Sequence, residues 1–122
     1  MKVIFTNSFN KKLSKISSIL KEDIIYLLKK YPNTNNLVLI DDLGNSKILK
    51  GYLLSKKIRI LVLFQNVKSK IIPVSVIKKE TSKGKNITKE NYIDLFLNDI
   101  EKSIKDLDNN NFEEIIISQD TK

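Results

Sequence analysis

The sequence predicts an α+β fold: an N-terminal strand, a helical hairpin packed on an antiparallel β-sheet, and a C-terminal helix. Three observations lead there. Apolar residues recur at helical spacing between Phe9 and Tyr31, alternate with polar ones through residues 47–79, and return to helical spacing between Ile93 and Leu107. At 122 residues, with 41% hydrophobic and 30% charged side chains, the chain suits one domain with a modest core and not a disordered segment. Residues 1–107 are expected to form that domain, and residues 108–122 a C-terminal tail, either a short strand or disordered.

Lys2 to Thr6 is short and β-rich, with apolar Val3, Ile4 and Phe5. Ser8 is the expected N-cap of a first helix carrying Phe9, Leu13, Ile16 and Leu20 on one face, with Lys11, Lys12 and Lys15 on the solvated other. A second helix carries Ile24, Leu27, Leu28 and Tyr31, and Pro32 stops it. Residues 33–46 are Asn-rich and loop-like, with Leu37 to Ile40 as an apolar tuck under the sheet. Asp41-Asp42 ahead of Gly44-Asn45 reads as turn chemistry rather than a metal or acid–base pair. Three strands follow, at about 47–54, 57–65 and 70–79, forming an antiparallel meander. Pro73 implies an edge or a bulge in the last of them. Ser82 to Lys85 is a basic loop, similar to a phosphate loop only in Gly84-Lys85. From Thr88 a helix runs with Ile93, Phe96, Leu97, Ile100, Ile104 and Leu107 on one stripe. Ile115 to Ile117 close the chain as a last strand or an apolar tail.

The chain has no Cys and no His, which removes disulfides, thiolate chemistry, most Zn, Fe and Cu sites and every His-based triad. No metal and no cofactor are expected. No stretch has the length or apolarity of a signal peptide or a membrane span, so a cytoplasmic protein without membrane contact is expected. Residues 1–87 hold 18 Lys/Arg against 5 Asp/Glu, a balance of +13, while residues 88–122 hold 4 against 9, a balance of −5. A small body at +13 attracts polyanions and gains affinity by counterion release. The acidic segment after residue 87 is placed to fold back and partly shield a basic site.

Of the 22 basic residues only Arg59 is an Arg, and it stands inside the apolar run Ile58 to Phe64. A planar, permanently charged fork suits a phosphate held from two directions; a structural salt bridge is the other reading. Lys47, Lys50, Lys56 and Lys57 precede it, and Lys78-Lys79 end the next strand. Alternation places Lys50 with Ile48, Tyr52 and Leu54 on one face of its strand, and Arg59 with Leu61 and Leu63 on one face of the next.

Strand, helical hairpin, three antiparallel strands and a strand-borne basic cluster resemble the RelE/ParE superfamily of toxins from type II toxin–antitoxin systems, above all its RelE/HigB-like members. The residues carrying the resemblance are Phe5 to Phe9, Lys47-Ile48-Leu49-Lys50-Gly51, Ile58-Arg59-Ile60-Leu61-Val62-Leu63-Phe64 and Val76-Ile77-Lys78-Lys79-Glu80-Thr81. The likeness spans roughly residues 1–107. It implies a metal-independent, ribosome-dependent mRNA endonuclease that inhibits translation, partnered by a cognate antitoxin. By position, Arg59 matches the family's strand Arg, Lys79 the basic residue before Glu, and Lys50, with Lys47, the basic residue of the preceding strand, which makes Lys50, Arg59 and Lys79 the catalytic candidates. Lys47, Lys56, Lys57, Lys78, Lys83 and Lys85 are the candidate RNA-binding cations. Ile58 departs from the family, where an aromatic often precedes the Arg. Tyr52 and Tyr92 are the two candidates for the catalytic Tyr of some members. ParE-like members keep the fold and inhibit gyrase without cleaving RNA, and a basic nucleic-acid-binding module is a third reading.

RNA cleavage needs a base for the 2′-hydroxyl, charge stabilisation on the phosphorane and an acid for the leaving oxygen. Without His, a Lys would have to serve with a value far below its ordinary one of about 10.4, which crowding by other cations and burial both favour. Arg59 would stay charged and stabilise the phosphorane. Positioning by the ribosome would supply part of the remainder.

Overall fold

Val3, Ile4, Phe5 and Thr6 are all buried, so the N-terminal run is an interior strand with covered faces on both sides. In this computed structural model, which describes residues 1–79 and 86–118, that strand is β1 (Lys2–Thr6). Thr6, not Ser8, caps the helix that follows: its Oγ1 accepts from the Phe9 N–H at 3.2 Å. Helix α1 covers only Asn7–Leu13, and α2 covers Lys21–Lys29. Between them Ile16 and Ile19 go inward, while Leu20, expected on the buried stripe, is 63% exposed. The helical period is interrupted after Leu13, which shifts the inward position to Ile19.

Phe9, Leu13, Ile24, Leu27 and Leu28 pack against Val3, Phe5, Leu49, Ile60, Val62 and Val76, forming one core layer between the helical hairpin and the sheet. Burying side chains of this size, at about 1.5–3 kcal/mol each, is the main force holding the hairpin down.

The sheet has four antiparallel strands where three were expected. Leu37–Asp42 is β2, an edge strand paired with β3 (Ser46–Leu53), followed by β4 (Ile58–Gln65) and β5 (Lys70–Lys78). The 37–40 run therefore joins the ladder instead of tucking beneath it. After β2, the Asp42 carboxylate accepts from the Gly44 N–H at 3.0 Å and Gly44 takes φ +86°, the turn expected from the sequence. Gly51 is required by a close approach: a Cβ there would stand 2.6 Å from Ile60 Cγ1.

Pro73 sits at a bulge in a central strand. The register steps from Leu61↔Ser75 to Val62↔Pro73, leaving Val74 without a partner on β4. On its other side β5 pairs in parallel with β1 only at Lys2↔Lys70 and Val3↔Ile71, stopping short of the proline, which has no N–H to donate.

The opposite face is covered by α3 (Tyr92–Leu95) and α4 (Leu97–Asp108), two helices where one was expected. Ile87, Tyr92 and Phe96 pack on Ile48, Leu61, Val74 and Ile77. Phe96 is buried, but Ile93, Leu97 and Ile104 are about half exposed, and Ser103 and Asp106 are buried in their place. Polar contacts with α1 rotate the helix this way. Asp106 accepts from the Ser8 N–H at 2.8 Å and from Ser8 Oγ at 2.5 Å, and Asp99 accepts from Lys12 at 2.6 Å.

Phe112–Ile116 form β6, antiparallel to β1, completing a six-stranded mixed sheet of order β2-β3-β4-β5-β1-β6. Of the two readings of the tail, the strand holds for these residues. No helix among the described residues is long and apolar enough to cross a membrane.

Candidate nucleic-acid interface

Alternation along β3 sends Ile48, Lys50 and Tyr52 to one face, and alternation along β4 sends Arg59, Leu61 and Leu63 to the same face. Ile48, Leu61 and Leu63 lie in the core beneath α3 and α4, which identifies that face. Tyr52 and Arg59 are direct cross-strand partners next to the β3–β4 turn.

Around the Tyr52 ring the structure gathers three cations. The Arg59 guanidinium carbon lies 4.6 Å from the ring centroid, and the Lys50 and Lys56 ammonium groups each lie 5.8 Å from it. The positive charges are held by neutral acceptors. Arg59 Nη1 donates to the Lys56 carbonyl, and Lys50 Nζ donates to the Ile87 carbonyl at 3.1 Å. Among the described residues none of the three meets a carboxylate. The ring's negative face offsets part of the mutual repulsion among the three cations.

The turn itself is strained. Leu54, Ser55 and Lys56, none of them glycine, take φ of 50°, 52° and 72°, a conformation that costs each residue roughly 1 kcal/mol or more. The Lys57 N–H closes it on the Leu54 carbonyl at 3.0 Å. Arg59, only 9% exposed, grips the Lys56 carbonyl from inside and helps hold this shape. The salt bridge entertained for Arg59 is absent among the described residues; its guanidinium is a clasp for the turn as well as a source of charge.

Other expected site residues fall into two groups. Lys57 and Lys79 belong with the cluster: the Lys79 N–H donates to the Lys57 carbonyl at 2.8 Å, so both exposed lysines extend the sheet end that carries Arg59. Lys47 and Lys78 do not face the same way. Lys47 alternates with Lys50, and Lys78 pairs with Ile58 of the hairpin-side core. Lys83 and Lys85, with the Ser82–Lys85 loop, lie outside the described residues.

Tyr92 stands apart from the cluster. It is 4% exposed, and its hydroxyl donates to the Asp41 carboxylate at 2.8 Å. Asp41 pairs with Ile48, four residues and thus about 13 Å along β3 from Tyr52. Burial first, then the hydrogen bond and charge of Asp41, push the Tyr92 phenol up to about 12. Its proton is held firmly, and its role is to fasten α3 to β2. Tyr52 is the tyrosine that shares a site with Arg59.

Segment 87–100 covers the Arg59-bearing face, with the Ile87 carbonyl on Lys50. Residues 112–116, at the far edge of the sheet beyond β1, do not.

Sequence reasoning missed a second polar cluster. Lys12, expected on a solvated face, turns between layers, with Nζ 3.0 Å from Ser75 Oγ and 2.6 Å from Asp99 Oδ2. Ser75 Oγ in turn donates to Asp99 Oδ2 at 2.6 Å. The available signal was a serine inside the apolar run Ile71 to Ile77.

Neither a protein-family model, a curated protein nor a solved structure matches the chain.

Proposed function

We propose that this chain acts on RNA as the toxin of a toxin–antitoxin pair, a metal-independent and ribosome-dependent mRNA endonuclease of the RelE/HigB-like kind. The observation that carries the reading is the Lys50–Tyr52–Lys56–Arg59 cluster, three cations gathered on one ring, two of them (Lys50 and Arg59) held by carbonyls. Such a cluster, without a carboxylate partner among the described residues, favours a phosphodiester beside it. Lys50, Arg59 and Lys79 surround the scissile phosphate in this reading. Lys56 and Lys57 hold the flanking backbone, while Lys47 and Lys78, on the other face, are set aside from that role. An antitoxin covering the basic strands keeps the activity in check in the cytoplasm.

Tightly controlled expression tests this. Wild type should arrest growth and leave discrete cuts in cellular mRNA by primer extension, and K50A, R59A and K79A should each relieve both. Undiminished arrest in all three variants would remove the assignment.

One observation favours the non-nuclease alternative of the same fold, a ParE-like inhibitor of gyrase. The Arg59 guanidinium is nine-tenths buried, with an N–H already used on the Lys56 carbonyl. Growth arrest with intact mRNA and loss of DNA supercoiling would select it. Neither arrest nor cuts, with RNA binding retained, would leave a basic binding module.

A further inference from the structure

On the side of the molecule where α1 meets α4, an open cleft of about 410 Å³ is lined by Ser8, Lys11, Lys12, Lys15, Asp99 and Lys102. Its floor is rigid. Asp99 Oδ2 receives both Lys12 and Ser75 at 2.6 Å, and Ser75 is 1% exposed, so this triangle ties α1, β5 and α4 together. That geometry uses up the cleft's one carboxylate on Lys12. Ser8 is spent as well, through its N–H and Oγ on Asp106.

What remains is three lysines, Lys11, Lys15 and Lys102, all exposed and none with a carboxylate partner among the described residues. Lys11 lies in the last turn of α1, Lys15 just past its C-cap Ser14, and Lys102 on α4, so charge enters the cleft from two directions. Three convergent ammonium groups repel one another, and a multiply charged oxyanion between them relieves that repulsion while receiving several charge-assisted hydrogen bonds.

We propose that this α1–α4 cleft is a phosphate site with Lys11, Lys15 and Lys102 as its ligands, taking either a small-molecule phosphate of charge −2 or more or successive singly charged phosphodiesters of a nucleic-acid backbone. The site is independent of the β3–β4 cluster and stands whether or not that cluster cleaves RNA.

Pyrophosphate is the probe, titrated calorimetrically into the full chain at low ionic strength. Wild type binds saturably, and K11Q/K15Q/K102Q binds roughly tenfold or more weakly, the loss of at least one charge-assisted contact. The control variant K68Q, in the β4–β5 turn outside both clusters, binds pyrophosphate as wild type does. Lys12 is left in place because it holds the layers together, and an unchanged melting curve for the triple variant confirms that its fold is intact. A single-stranded oligoribonucleotide in a salt titration separates the sources. A backbone ligand lowers the log–log salt slope by about 2 in the triple variant, at roughly 0.7 per lost contact. A small-phosphate ligand leaves RNA binding unchanged while pyrophosphate binding falls. Absence of saturable pyrophosphate binding by wild type, or equal affinity in the triple variant, overturns the site.

Discussion

Replacing Arg59 with Met tests how far one guanidinium holds the β3–β4 turn. Met retains much of the apolar stem and loses the charge, the plane and the donors. The stack of the buried Arg59 on the partly exposed Tyr52 ring at 4.6 Å contributes about 1 kcal/mol. The bond to the Lys56 carbonyl contributes about 1.5–3 kcal/mol, as for hydrogen bonds to charged groups. Loss of both amounts to about 2.5–4 kcal/mol, and the unfolding entropy of a domain this size turns that into a drop of about 10–16 °C in Tm. R59K should fall about halfway, since Lys keeps the charge but not the flat face. Thermal denaturation followed by circular dichroism at neutral pH reads the effect, and limited proteolysis should cut R59M first in residues 54–57. If R59M melts within about 2 °C of wild type and its turn resists protease, the clasp argument is wrong and the arginine's energetic role lies with a ligand alone.

The remaining predictions concern the rest of the framework. Gly51→Ala should lower stability by about 1–3 kcal/mol in urea denaturation, because the added methyl meets Ile60 Cγ1 at 2.6 Å and Leu37 Cδ2 at 3.1 Å. Asp106→Ala should cost about 2–4 kcal/mol by removing the charged acceptor of two Ser8 donors at the α1–α4 contact, and Asp106→Asn should recover part of it. Tyr92 has a folded-state value raised to about 12 against an ordinary 10.0, so the folded chain holds that proton more tightly. Its contribution is fully present below pH 10 and is lost as pH rises toward 12; the stability difference between wild type and Tyr92→Phe should shrink over that window. Glu113 is held below its ordinary 4.5, first by its hydrogen bond to Lys21, so its contribution is present above that value and fades as pH falls through the acid range. Parallel acid titrations of wild type and Glu113→Gln should converge there.

The resemblance to a toxin family stated from the residues bears on the molecule through the strand-borne cations. Alternation within each strand, readable from spacing, puts Lys50 with Tyr52 and Arg59 with Leu61, and the Tyr52↔Arg59 register of the folded sheet then brings the two sets onto one face. The bulge at Pro73 was readable for a similar reason, since a proline lacks the donor that a central ladder needs. The α4 stripe was misjudged because helical periodicity locates an apolar face without saying what covers it. Here polar anchors to Ser8 and Lys12 turn Ser103 and Asp106 inward and leave Ile93, Leu97 and Ile104 half exposed.

Local chemistry in the chain was sufficient to set the α+β class, the helical hairpin, the three-stranded meander, the Gly44 turn, and the residues that share a face with Lys50 on one strand and with Arg59 on the next. Each depends on periodicity or on a residue's own backbone preference, which neighbours in sequence already express. Tertiary structure alone decided that β1 lies inside the sheet between β5 and β6, that Leu37–Asp42 and Phe112–Ile116 are its edge strands, and that Lys12 bonds Asp99 and Ser75. Apart from the short-range pairing of β2 with β3, these are partnerships across 63 to 116 residues of chain. A strand or a lysine carries the capacity to pair in its own chemistry, but the partner is fixed only when burial of the two cores brings distant segments together.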